Sequence, residues 1–113
     1  ADRGTFIGID RVGYDILAPD ERRADHVAAL VGAGYTRQIC LSQDCICTMA
    51  SPRLPFPVPP EYNLTPASFL AGNKPLSYVV TGFSDMLRQR GVSEEALTTI
   101  FRDNPRRLLT GAD

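Results

Sequence analysis

The chain has 113 residues, of which 43% are hydrophobic and 22% charged, and its formal net charge is −1. This is an ordinary globular composition at single-domain size, and it excludes the strongly basic surface that steers a protein to nucleic acid or an anionic membrane. No apolar run approaches the roughly 18 residues of a membrane span, and no secretory n-region and h-region opens the chain.

The first predicted element is a strand. Thr5-Phe6-Ile7-Gly8-Ile9-Asp10 is a short apolar run ending in a charge, the pattern of a parallel strand buried on both faces. A loop through Gly13 leads to a helix that starts near Pro19, with Asp20 and Glu21 placed well against the helix dipole. Ala24, Val27, Ala28 and Val31 form its apolar stripe, and Gly32 and Gly34 end it. Gln38-Ile39-Cys40-Leu41-Ser42 is a second strand, again followed by an acid, Asp44. Strand, helix and strand in this order spell a parallel β-α-β unit with a right-handed crossover.

Residues 48–73 change character. Six prolines, Pro52, Pro55, Pro57, Pro59, Pro60 and Pro66, cannot sit inside a helix or a central strand. The interleaved Phe56, Tyr62, Leu64, Phe69 and Leu70 favour a packed functional loop over a linker. A helix is expected from about Leu76, with Val79, Val80, Phe83, Met86 and Leu87 on one face and Gly91 as its stop. Ser93 is a good N-cap for a shorter helix buried through Leu97, Ile100 and Phe101. Asn104-Pro105 then reads as an N-cap and N1 proline opening a last turn.

Two apolar strands with three or four helices make an incomplete layer, because each strand needs neighbours on both edges and cover on both faces. Either the chain docks on other copies or it is the end of a longer strand–helix series, and the series is the more economical solution. The chain opens at Ala1 rather than Met, which leaves room for sequence upstream.

Asp10 and Asp44 both stand immediately after a parallel strand, the edge where α/β barrels and open α/β sheets place ligand-binding residues. A carboxylate there can bind a metal or take a proton from metal-bound water. It can equally well do no more than cap the following loop. The pairs Arg22–Arg23 and Arg106–Arg107 read as solvated helix faces. Cys40, Cys45 and Cys47 are an odd count that fits a reducing compartment, so a cytoplasmic location is expected. Cys45-x-Cys47 has no second Cys or His pair, so inert thiols are the reading.

The strings Gly8-Ile9-Asp10-Arg11, Gly34-Tyr35 and Ile39-Cys40-Leu41-Ser42-Gln43-Asp44 resemble strands seven and eight of the phosphotriesterase family, and more narrowly the phosphotriesterase-like lactonases of the amidohydrolase superfamily. Gly91-Val92-Ser93, Ile100-Phe101 and Asn104 to Leu109 are similar to that family's closing helices. The resemblance implies an α/β fold, the C-terminal β-α-β-α segment of a (β/α)8 TIM barrel, incomplete on its own. Residues 1–113 would be the last two strand–helix units, with 45–73 a long active-site loop and 76–113 the C-terminal helices.

The resemblance also implies chemistry. Asp44 would be the catalytic aspartate after the eighth strand, a metal ligand that handles the proton of a metal-bridging hydroxide. Arg11 would lie at the active-site mouth, Asp10 would support it, and Cys45 and Ile46 would begin the substrate-binding loop. The implied cofactor is zinc or another divalent metal, binuclear in the whole enzyme. The implied substrate is a small-molecule lactone or organophosphate-type ester, and a homodimer is the implied assembly; neither nucleic acid nor membrane is an expected partner. The sequence departs from the family pattern at Gln43, where His or Asn is usual, and at Cys45, where an aromatic is common. Both departures bear on substrate preference.

The family's other ligands are a His-x-His pair, a carboxylated lysine and two further histidines. His26 is placed in a helix, as a surface or interhelix residue, and the single lysine, Lys74, in a loop. The expectation is that the isolated chain is inactive. The alternatives are a non-catalytic remnant or interaction module that keeps the barrel packing, and a small α/β binding protein using 48–73 as its pocket.

Overall fold

The β-branched and aliphatic residues around Ile7 and Ile39 pair as two parallel strands, β1 (Ile7–Ile9) and β2 (Ile39–Leu41), in register Ile7–Ile39, Gly8–Cys40 and Ile9–Leu41. The computed structural model describes residues 4–46, 48–54 and 56–111. Both strands are shorter than the sequence suggests, β2 because Gln38 belongs to a 3-10 turn, Thr36–Gln38. Pairing nevertheless continues past the strand ends. Ser42 N–H donates to Ile9 O at 3.0 Å and Val12 N–H to Ser42 O at 3.2 Å. This keeps the two exit loops side by side where the acidic residues stand.

The crossover helix α1 (Asp20–Gly32) buries Ala24 and Val27, and half-buries Ala28 and Val31. Its first amide is capped from upstream, Asp20 N–H donating to Asp15 Oδ1 at 2.8 Å. Asp20 itself is buried and does more than face the dipole. Its Oδ1 accepts from Gly13 N–H and from Arg23 Nη1, both at 3.0 Å, so it ties the β1 exit loop to the helix. Gly34 leaves the helix at φ +87°, the left-handed conformation that glycine adopts without steric penalty.

The proline-rich stretch is more ordered than a loop. It contains a 3-10 turn at Pro60–Tyr62 and a helix, α2 (Pro66–Ala71). Thr65 and Ser68 form a reciprocal capping box and Pro66 occupies the first turn, where its missing N–H costs nothing. α2 buries Phe69.

The next helix starts later than expected. Tyr78–Val80 is a 3-10 turn, Thr81 leaves helical geometry, and α3 runs over Gly82–Gln89. Val80 is consequently exposed rather than on the buried face, while Val79, Phe83 and Leu87 are buried. Ser93 caps α4 (Glu94–Thr98), accepting from Ala96 N–H at 3.2 Å. The chain then widens into a π turn at Thr99–Asp103 before α5 (Asn104–Thr110).

Asn104 is therefore not an N-cap. It is fully buried and helical, and its Nδ2 donates to Thr36 O and Ile39 O, both at 2.7 Å. The missing N–H of Pro105 is compatible with the wider turn. After that turn the Asn104 amide faces inward at the start of β2.

Val12, Ile39, Phe83, Leu87 and Ile100, together with the α1 stripe, form the core. Each fully buried Val, Leu, Ile or Phe among them contributes about 1.5–3 kcal/mol by leaving water. The strands themselves are less buried than predicted: Ile39 is fully enclosed, Ile7, Ile9, Cys40 and Leu41 are half-buried, and Gly8 is exposed. Among the described residues no helix is long and apolar enough to cross a membrane.

Candidate active site

The exit turns of the two strands share a rare backbone conformation. Arg11 has φ 57° and Asp44 φ 52°, left-handed values that non-glycine residues adopt at a cost and often at functional sites. These turns bring the side chains together. Arg11 Nε lies 3.7 Å from Asp44 Oδ2 and 3.9 Å from Asp10 Oδ2. All three side chains are more than half exposed, where ion pairs add at most about 1 kcal/mol. Folding stability therefore does not account for the cluster.

A cavity of about 170 Å3 opens beside it, lined by Arg11, Tyr14, Leu17, Asp44, Ile46, Phe56 and Phe69. One cation and one anion thus face an otherwise apolar pocket. Such a pocket suits a small molecule with a polar reacting centre and an apolar group. Tyr14 stacks on Phe69 with ring centroids 5.4 Å apart, and Phe56 meets Phe69 edge-on at 5.6 Å. The Tyr14 hydroxyl accepts from Ile46 N–H at 2.8 Å and donates to Asp44 O at 3.2 Å. Asn73 Nδ2 donates to Ile46 O at 2.6 Å. Burial, more than the nearby Cys45 and Asp44, raises the Tyr14 hydroxyl above its ordinary range, so it stays protonated.

Asp10, Arg11 and Asp44 meet at one end of the sheet, and Ile46 lines the cavity. Cys45 is half-buried beside the Tyr14 hydroxyl and is not among the lining residues, while Cys47 lies outside the described residues. Gln43 is buried and its Nε2 donates to Lys74 O at 3.0 Å, latching the β2 exit to the segment before α3. Lys74 Nζ sits 5.5 Å over the Tyr78 ring, and His26 is exposed on α1. Burial pushes the Cys40 thiol up, which favours its protonated form. Among the described residues, no group of three or more His, Cys, Asp or Glu side chains could hold a metal ion.

Tyr14 and Asn73 were not legible as site residues. The available signal for Tyr14 is that it is the only aromatic between β1 and α1. Asn73 lies in a Gly-Asn-Lys-Pro string that reads as simple loop.

The sequence matches the model of the phosphotriesterase family over residues 1–109. The chain belongs to the phosphotriesterase family. Among its relatives, an aryldialkylphosphatase of Saccharolobus solfataricus is 30% identical over 97% of this chain and 32% of its own length. A phospho-furanose lactonase of Mycoplasmopsis synoviae is 35% identical over 92% of this chain and 26% of its own. The solved structure of the phosphotriesterase from Mycobacterium tuberculosis superposes with a TM-score of 0.71 at 27% identity, covering 94% of this chain and 30% of that one. The chain thus spans about three tenths of the length of the phosphotriesterase relatives it matches. Its two-stranded sheet with flanking helices is a β-α-β-α piece of a phosphotriesterase (β/α)8 barrel, with the Arg11–Asp44 cluster at the C-terminal ends of its strands.

Proposed function

We propose that the Asp44 end of the sheet is one wall of a hydrolase site for lactones or organophosphate-type esters. In this reading residues 1–113 are the last two strand–helix units of the barrel, 45–73 its long active-site loop and 76–113 its C-terminal helices. The single observation that carries the proposal is the meeting of Asp10, Arg11 and Asp44 at the C-terminal strand ends, over a small apolar cavity. In barrels of this kind that rim is where ligands bind and catalytic residues stand.

The roles follow from chemistry. Attack on an ester carbonyl or phosphoryl centre needs an acceptor for the proton of the attacking water, and in this reading the Asp44 carboxylate takes it. Negative charge grows on the carbonyl or phosphoryl oxygen, and the Arg11 guanidinium is the cation at the cavity mouth that opposes it. Asp10 holds that guanidinium from the other side. Ile46, Phe56 and Phe69 accommodate the acyl or leaving group and exclude water from it. Cys45 would act through the same loop.

Zinc, as a binuclear centre, is what family resemblance implies for the whole enzyme. Catalytic zinc takes about three protein ligands, and the described residues offer no such group. These residues alone therefore do not fit a resident zinc, and Asp44 is assigned as one donor of a set whose other donors are not among them. The isolated chain is accordingly expected to bind ligand without turning it over.

The test is a titration of the 15N-labelled chain with diethyl phenyl phosphate and with a γ-lactone, followed by amide NMR. The proposal requires shifts that cluster on Arg11, Asp44, Ile46 and Phe69. Shifts confined to other surfaces, or none at all, would remove its basis.

A further inference from the structure

The Asp44 turn is held from outside by one side chain, Tyr14. Its left-handed backbone is not stabilised by a glycine, and its own side chain points to Arg11. Its carbonyl instead accepts from the Tyr14 hydroxyl, and two residues later the Ile46 amide donates to the oxygen of that hydroxyl. One phenol thus closes a ring across residues 44–46, fixing together the carboxylate and the cavity wall. The phenol cannot easily move. Tyr14 is only 7% exposed, and its ring is stacked on Phe69. Its own backbone is fixed as well, because Gly13 N–H is held by Asp20 and Tyr14 N–H donates to Arg11 O at 3.1 Å.

We infer that Tyr14 is a positioning residue: through its hydroxyl it sets the orientation of Asp44 and the depth of the Ile46 wall for a bound ester or lactone. The inference rests on the proposed ligand site at Asp44, but the hydrogen-bonded pin is a separate physical claim. A part-buried donor that loses its partner is left to water or unsatisfied, so the Ile46 amide becomes the local reporter. The ring and the hydroxyl have separable jobs. The ring with Phe69 forms the back of the cavity, and the hydroxyl alone reaches the turn.

Tyr14→Phe keeps the ring and deletes the pin. Hydrogen exchange measured on the 15N-labelled 113-residue chain should show the Ile46 amide exchanging at least about tenfold faster in Tyr14→Phe, the expected consequence of losing one hydrogen bond. Ser42 and Val12 amides, which belong to the strand ladder, should stay within about twofold. In the same samples the dissociation constant for diethyl phenyl phosphate should rise several-fold, while His26→Ala, an exposed control on α1, leaves it unchanged. Unchanged Ile46 exchange, or a uniform rise at every core amide, would overturn the pin. Faster Ile46 exchange with no ligand binding by either chain would instead sink the ligand-site reading and leave the pin standing.

Discussion

Arg11 Nε stands 3.7 Å from Asp44 Oδ2, and each residue occupies the left-handed exit turn of a different parallel strand. An exposed pair of this kind contributes little to folding, so two uncommon backbone conformations are maintained around charges that stability does not require. Arg11→Ala and Asp44→Ala should each change the unfolding free energy by less than about 1 kcal/mol. Each should also abolish the ligand-induced NMR shifts. Denaturant melts beside titrations separate the two effects, and a large loss of stability in either variant would recast the cluster as structural.

Asn104 carries more of the fold than any sequence pattern suggests. Asn104→Ala leaves Thr36 O and Ile39 O without their shared donor inside the core, and should cost about 2–4 kcal/mol. His26→Ala, on the exposed face of α1, should stay within about 0.5 kcal/mol. Urea denaturation of the two variants checks the contrast. A similar small effect from both would mean that the Asn104 amide is not the clamp on β2.

Glycine to alanine inside a helix normally gains about 1 kcal/mol. At Gly82 the sign should reverse, because a Cβ there would meet Tyr78 Cε2 at 2.6 Å and Cδ2 at 2.9 Å. Gly82→Ala should destabilise by about 1–3 kcal/mol as the ring is displaced. Pairing it with Tyr78→Ala in a double-mutant cycle tests the cause, since the penalty should vanish when the ring is absent.

Alkaline pH should weaken the fold in a defined window. Burial first, and then the hydrogen bond and charge of Asp20, push the Tyr78 hydroxyl from 10.0 up to about 12. Because the folded value is raised, the native state holds this proton more tightly, and the contribution is complete below pH 10. It is lost as the pH rises from 10 through 12. Tyr14 shifts in the same direction through burial. Urea melts between pH 9 and 12 should show falling stability, with a shallower fall in Tyr78→Phe. Identical slopes in the two chains would exclude the tyrosine as the source.

The β-α-β unit and its acidic strand ends were legible because period, glycine stops and terminal charges all point the same way around Ile9, Gly34 and Ile39. Pro66 misled, since a proline at a helix start reads like any other breaker until the Thr65–Ser68 box is seen. Val80 is a second such case: an apolar residue in helical spacing reads as part of a buried face, which the 3-10 turn before α3 removes. Asn104 and Tyr14 were invisible in their roles because both act through hydrogen bonds to backbone far along the chain. No local pattern encodes such a partner. Asp44 and Arg11 could be named from sequence, whereas the phenol that holds their turn required coordinates.

The most direct measurement places residues 1–113 in a complete barrel, replacing the matching segment of the Mycobacterium tuberculosis phosphotriesterase, and follows ester hydrolysis by the active chimera. Asp44→Ala should lower turnover by about 100-fold or more, the scale of a lost proton acceptor, while His26→Ala leaves it unchanged. Equal effects of the two substitutions, or full activity without the Asp44 carboxylate, would contradict the assignment of this strand end as the reacting edge.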